Sequence, residues 1–155
     1  MSEQTARRRE PRTGRMEGRC LCGTIRLVVD GAHGATVGAC HCRMCRRWSG
    51  GVFMVFTAEA DAVTVEGPVE RYASSGFAER AFCSTCGSHL WFRETGGPSE
   101  KYEMIAGLFP EARGFPLTSE IYVDQAPAWA RFEGDHRRRS AAEYEAENLF
   151  VEGEA

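Results

Sequence analysis

Seven cysteines fall into three short clusters: Cys20 and Cys22 in R-C-L-C-G, Cys40, Cys42 and Cys45 in C-H-C-R-M-C, and Cys83 and Cys86 in F-C-S-T-C-G. Thiolates this close in sequence suit a soft metal in a tetrahedral site, zinc before iron. Disulfides explain them less well, because an odd number of cysteines cannot all pair within one chain. A structural zinc takes four protein ligands, whereas a reactive one takes three and leaves a position open to water or substrate. Seven thiolates divide naturally into four and three. Spacing alone does not say which clusters join. Keeping Cys40, Cys42 and Cys45 together is one solution, and a ribbon of Cys42, Cys45, Cys83 and Cys86 that strands Cys20, Cys22 and Cys40 is another. Gly23 and Gly87 each follow a cysteine pair, giving the backbone freedom to curl its amides toward sulfur.

The elements that must position these clusters are strands. From Gly18 to about Phe132, short β-type runs are punctuated by glycine, proline and charged turns, the pattern of an all-β domain. In T-I-R-L-V-V-D, Ile25, Leu27 and Val29 alternate with Thr24, Arg26 and the apolar exception Val28, as in a half-buried strand. Further strands are expected over residues 52–57, 62–66, 69–73, 79–82, 89–93, 102–106 and 120–123. In the run 89–93 the pair His89 and Trp91 alternates with Leu90 and Phe92, so one pair is expected in the core and the other along a cleft. Ser140 followed by Glu143 reads as a capping box, and Ala142, Ala146, Leu149 and Phe150 fall at helical spacing, so a short terminal helix is expected. Three segments result: a disordered basic leader over 1–15, a zinc-binding domain over 16–132, and a linker with the helix over 133–155. Arg137, Arg138 and Arg139 read as solvated linker. Strands this short make a shallow core, and metal cross-links formed only in the folded state would add their binding free energy to folding.

Composition narrows the function classes. The chain has 155 residues, 43% of them hydrophobic, enough for one core. A formal net charge of -3 and a pI near 5.8 leave no general basic field, so nucleic acid is an unfavoured partner despite the arginine-rich start. The opening stretch is polar and no segment reaches the length of a membrane span, so a cytoplasmic protein without membrane association is expected, as monomer or homodimer.

In the order G-R-C-L-C-G-T-I-R, C-H-C-R-M-C-R-R-W-S-G, F-C-S-T-C-G-S-H-L and Y-V-D-Q-A-P-A-W, the chain resembles the glutathione-dependent formaldehyde-activating enzymes, also called the centromere protein V family. The resemblance covers roughly residues 16 to 130 and implies an Mss4-like β-tent holding two zinc ions. It implies the pairing as well, with Cys20, Cys22, Cys83 and Cys86 as structural ligands and Cys40, Cys42 and Cys45 as ligands of a catalytic zinc. One departure is visible: where family members often carry a histidine before the I-Y-V-D strand, this chain has Glu120.

The activity implied by the resemblance is that of a carbon–sulfur lyase acting on a glutathione or related thiol adduct of the S-hydroxymethylglutathione type. The alternative is a non-catalytic zinc protein that binds or carries glutathione or a partner through the same pocket. Arg43, Arg46 and Arg47 flank the three-cysteine cluster and would favour thiolates and an anionic tripeptide; Trp48 would wall the site. His41, between two ligands, reads as a solvent-facing or supporting residue, not as a ligand, and Ser49 as a turn residue.

Overall fold

The computed structural model describes residues 11–97 and 100–151. Along the chain run strands β1 (Arg12–Arg19), β2 (Arg26–His33) and β3 (Val37–Cys40), helix α1 (Arg43–Ser49), and strands β4 (Phe53–Glu59), β5 (Val63–Glu66), β6 (Val69–Ser75), β7 (Ala78–Cys83), β8 (His89–Glu94), β9 (Lys101–Ile105) and β10 (Leu117–Ile121). Strand β11 (Arg137–Arg139) and helix α2 (Ala141–Glu147) complete the described chain. The fold is the all-β, β-tent class expected, with a short helix near the C-terminus. Two compact units are formed, one by residues up to Thr36 with Val55–Pro116, the other by Val37–Met54 with residues from Leu117 onward.

In the first unit, β2 lies between β1 and β5, antiparallel to both. Ile25, Leu27 and Val29 are fully buried, as their alternation predicts. Val29 faces Met16 of β1 and Val63 of β5 in register, so three apolar positions line up across the strands. The segment 55–59 of β4 starts an antiparallel run through β9, β8 and β7 to β6. Phe56 anchors the core here, edge-on to Phe109 at 5.1 Å and to Phe115 at 5.9 Å between ring centroids.

Two expectations about this unit are corrected. The leader was expected to extend to residue 15; residues 1–10 lie outside the described residues, but Arg12 to Arg15 already belong to β1. Pairing of Arg15 opposite Asp30 gives that charged stretch a strand to lie on. In β8, Leu90 and Trp91 are both buried, although they are neighbours in sequence. The register explains it: Phe82 pairs with His89 and Ala81 with Trp91, so Leu90 is the extra residue of a bulge and both side chains turn inward. Trp91 is therefore core, edge-on to Tyr102 at 5.4 Å, and the expected alternation of cleft and core residues is broken there.

Glu103 in β9 is enclosed by protein while retaining some surface, and burial pushes its carboxyl up to about 7 even though the Thr57 hydroxyl donates to it, 3.1 Å from either oxygen. A carboxyl whose folded pKa is raised binds its proton more tightly when folded, so its contribution is full below pH 4.5 and is lost as pH rises toward 7. Wild type should lose about 2 kcal/mol of stability from this residue between pH 5 and 8. Urea unfolding of Glu103→Gln should show that share of the decline removed; identical pH profiles for the two proteins would contradict it.

In the second unit, β3 and β11 flank β10, and all three run parallel. Arg137, Arg138 and Arg139, expected as solvated linker, are instead the whole of β11. Arg137 and Arg139 both pair with Glu147 of α2, which makes three consecutive arginines acceptable in a strand. The capping box is present: the Ser140 hydroxyl accepts from Glu143 N–H at 3.2 Å and the Glu143 carboxylate from Ser140 N–H at 2.7 Å. The helix stops at Glu147, so Leu149 and Phe150 lie beyond it and do not extend its apolar stripe. Leu149 is 90% exposed.

Candidate metal centres

Cys20 and Cys22 leave the end of β1, and Cys83 and Cys86 lie at the β7–β8 junction. Their four sulfurs gather within 4.8 Å of one another. Sulfur separations of 3.6 Å for Cys20–Cys22 and 3.9 Å for Cys22–Cys83 are far too long for disulfides. They bracket the roughly 3.8 Å edge of a tetrahedron whose metal–sulfur bonds are about 2.3 Å. The donor set therefore fits a closed thiolate site, and these residues could hold a metal ion.

Both arms of that site are built alike. Gly23 and Gly87 adopt the left-handed conformation, at φ 80° and 78°, and each amide closes the turn by donating to a cysteine carbonyl: Gly23 to Cys20 at 3.1 Å, Gly87 to Cys83 at 2.8 Å. Each glycine is followed by a hydroxyl aimed at sulfur, Thr24 at 3.1 Å from Cys22 and Ser88 at 3.2 Å from Cys86. Ser88 also accepts from Leu21 N–H at 2.9 Å and so ties the arms together. The Ser88 hydroxyl, then its amide and that of Cys22, bring the Cys86 thiol down to about 5. The sequence reading missed both hydroxyls, although the repeated C-G-T and C-G-S carries the signal.

The second unit brings Cys40, Cys42 and Cys45 together, again with sulfurs within 4.8 Å of one another, and no fourth cysteine, histidine or carboxylate joins them among the described residues. Cys40 closes β3, Cys42 caps α1 by accepting the Cys45 N–H at 3.4 Å, and Cys45 is buried one turn into the helix. The sulfurs of Cys42 and Cys45, and then burial, push the Cys40 thiol well up. Three crowded, desolvated thiolates call for a cation, and this donor set also fits a soft metal. The two groups are those the resemblance implied; the ribbon of Cys42, Cys45, Cys83 and Cys86 is not among them.

Arg43, Arg46, Arg47 and Trp48 all stand on α1. Arg46 is tied down, its Nε donating to the His41 carbonyl at 2.9 Å, while Arg47 is exposed. Ser49, read as a turn residue, ends the helix, with its hydroxyl donating to Cys45 O at 2.8 Å. His41 is not solvent-facing: its side chain is 0% exposed and its Nε2 donates to Glu120 at 2.6 Å. Burial works to raise the pKa of Glu120, but hydrogen bonds from His136 and His41 outweigh it and hold the carboxyl below the ordinary range. Tyr122, directly after β10, is the one described non-glycine residue with positive φ, at 56°. Its hydroxyl donates to Glu145 of α2 at 3.2 Å, and burial, Glu145 and the charges of Cys42 and Cys40 raise its pKa. A bulky residue held in that region marks a position the surroundings over-determine. Glu120, His136 and Tyr122 are the neighbours of this cluster that spacing rules do not find.

No helix among the described residues is long and apolar enough to cross a membrane. Residues 15–125 match the family model described as glutathione-dependent formaldehyde-activating enzyme. A Schizosaccharomyces pombe protein described as an uncharacterized lyase is 36% identical over 112 residues, 72% of this chain and 80% of that protein. A putative glutathione-dependent formaldehyde-activating enzyme of Halomonas elongata is 26% identical over 145 residues, covering 86% and 91%. Among solved structures, the crystal structure of a Rhodobacter sphaeroides protein superposes with a TM-score of 0.53 at 27% identity, over 66% of this chain and all of that one. With a family match across most of its length and a relative 36% identical over 72% of it, the chain belongs to the glutathione-dependent formaldehyde-activating enzyme family.

Proposed function

We propose that the protein is a zinc-dependent carbon–sulfur lyase acting on a glutathione or related thiol adduct, with one zinc held by Cys20, Cys22, Cys83 and Cys86 and a second by Cys40, Cys42 and Cys45. The observation that carries this reading is the unequal ligand count: four sulfurs gathered in one group, three in the other. A bound zinc with an open position supplies positive charge that stabilises a thiolate or polarises an aldehyde oxygen. The names of the family and of the Halomonas relative support glutathione as the thiol, and the yeast relative's name supports a lyase.

In the synthetic direction the thiol sulfur bonds to the formaldehyde carbon, the carbonyl π bond opens onto oxygen, and oxygen takes the proton given up by the thiol. Cleavage is the reverse. Cys40, Cys42 and Cys45 hold the ion and leave one approach free. Arg47, exposed on α1, and Arg43 and Arg46 beside it favour an anionic tripeptide, and Trp48 contributes apolar surface. The site lies in a reducing, cytoplasmic setting on this reading.

Elemental analysis of purified protein should give two zinc ions per chain. Carbon-13 NMR of labelled formaldehyde with glutathione should show the S-hydroxymethyl resonance reaching equilibrium faster with protein than without. Protein that carries both ions yet accelerates neither formation nor cleavage with glutathione or several other thiols would end the enzyme reading. Calorimetric binding of glutathione without turnover would then identify a carrier.

A further inference from the structure

The side chain of Glu120 is 3% exposed, in the middle strand of the parallel trio, between Ala39 of β3 and Arg138 of β11. Its two oxygens are divided. Oε1 accepts from His41 Nε2 at 2.6 Å, while Oε2 accepts from His136 Nε2 and forms an ion pair with Arg138, whose Nε lies 3.3 Å away. Arg138 is itself fixed by donating to Phe132 O at 2.8 Å and Gly134 O at 3.1 Å. A carboxylate loaded on both sides in this way has little freedom to turn.

The group it holds on Oε1 lies between two metal-ligand candidates. His41 is tied at three points: its N–H donates to Ile121 O at 3.1 Å, its carbonyl accepts from Arg46, and its ring is bonded to Glu120. The ring's Nδ1 has no hydrogen-bond partner among the described residues, so Glu120 provides the imidazole's hydrogen bond. His41 is the single residue between Cys40, the last of β3, and Cys42, the N-cap of α1. Anchoring the His41 ring therefore fixes the peptide that joins those two residues, whose sulfurs meet that of Cys45.

We propose that Glu120 is a positioning residue for the three-cysteine metal site, fixing the Cys40 and Cys42 sulfurs through its hydrogen bond to His41. The inference rests on the reading that this cluster holds a metal. Hydrogen-bond partners of the ligands themselves commonly alter metal affinity by about 10–100-fold when removed, and the same scale is taken for a residue that acts through the peptide between two ligands. Glu120 touches no sulfur donor in this scheme; it acts through the imidazole and the peptide that carries it.

Cobalt(II) tests this, because thiolate-to-cobalt charge-transfer and d–d bands report ligand geometry without turnover. Wild type, Glu120→Ala, Glu120→Gln and His41→Phe are titrated with cobalt in competition with a chelator. Wild type should take two ions. In Glu120→Ala one ion should bind as in wild type, and the second about 10–100-fold more weakly with shifted d–d bands. His41→Phe keeps an aromatic ring, somewhat larger than imidazole, that needs no acceptor, and should match Glu120→Ala in weakening the second ion. Glu120→Gln keeps an amide oxygen for His41 and should stay within a few-fold of wild type. Wild-type affinity and bands for the second ion in both Glu120→Ala and His41→Phe would overturn the proposal. So would a Glu120→Gln as weak as Glu120→Ala, since the effect would then lie in charge and not in the imidazole bond. Should Glu120→Ala fail to fold, His41→Phe decides on the same criterion. A wild type that takes only one ion would remove the metal reading and the inference together, whereas two ions in wild type with unaffected variants would remove the inference alone.

Discussion

Cys86→Ser should leave a chain with no cooperative thermal transition. Cys86 shares its site with Cys20, Cys22 and Cys83, and the buried pair, Cys20 and Cys83, also belongs to the hydrophobic core around Phe56. On the reading that zinc is held there, losing it leaves two core sulfurs without the charge that gathers them. Apparent binding free energies of structural zinc sites are about 10–16 kcal/mol. Net stabilities of domains are about 5–15 kcal/mol. Removing one of four thiolates therefore threatens a contribution as large as the whole margin. Circular dichroism melting with zinc analysis checks it: no sigmoidal transition and substoichiometric zinc are expected, and a melt within a few degrees of wild type would show that the four-cysteine site is not structural.

Cys45→Ser should behave in the opposite way. Its sulfur completes a three-ligand group in the other unit, on a helix capped by Cys42 and closed by Gly50 in the left-handed conformation. Serine keeps the backbone of that helix and its size while removing a strong zinc ligand. The variant should lose one of two ions, melt within about 5 °C of wild type as expected of a substitution costing no more than about 1 kcal/mol, and fall at least about 100-fold in thiol–aldehyde turnover, the scale seen when one charge-stabilising group is deleted from an active site. Equal unfolding of Cys45→Ser and Cys86→Ser would break the division into a structural and a reactive site. Full activity in a one-ion Cys45→Ser protein would remove the three-cysteine group from the chemistry.

The three short cysteine clusters were legible because residues two or three apart already share a turn, but that the first joins the third, 61 residues on, came from the resemblance and not from spacing. The strand β2 was legible for a similar reason, since Ile25, Leu27 and Val29 carry their own alternation. What escaped was set by distant partners. The arginines of β11 have no strand signal of their own and are held by Glu147 and Glu120. Helix α1 was hidden because its cap is a cysteine sulfur, a group outside the usual capping side chains. Leu90 and Trp91 defeat period-two reading because a bulge puts both indoors. Glu120 registers in the sequence only as a departure from the family's usual residue; that it joins His41, 79 residues away, is a product of β3 and β10 lying side by side.

The two matching arms of the four-cysteine site have a consequence for how the chain finds its fold. Cys22 and Cys83 are 61 residues apart, whereas Cys83 and Cys86 share one hairpin junction. The hairpin arm can form by itself within microseconds, since its ends need no long search. Bringing in the β1 arm closes a loop of about 60 residues, and that entropy must be spent before the core around Phe56 repays it. An ion first captured by Cys83 and Cys86 would turn the last large step of folding into a ligand exchange. The same bonds that hold the finished domain would then decide the order in which its two distant ends meet.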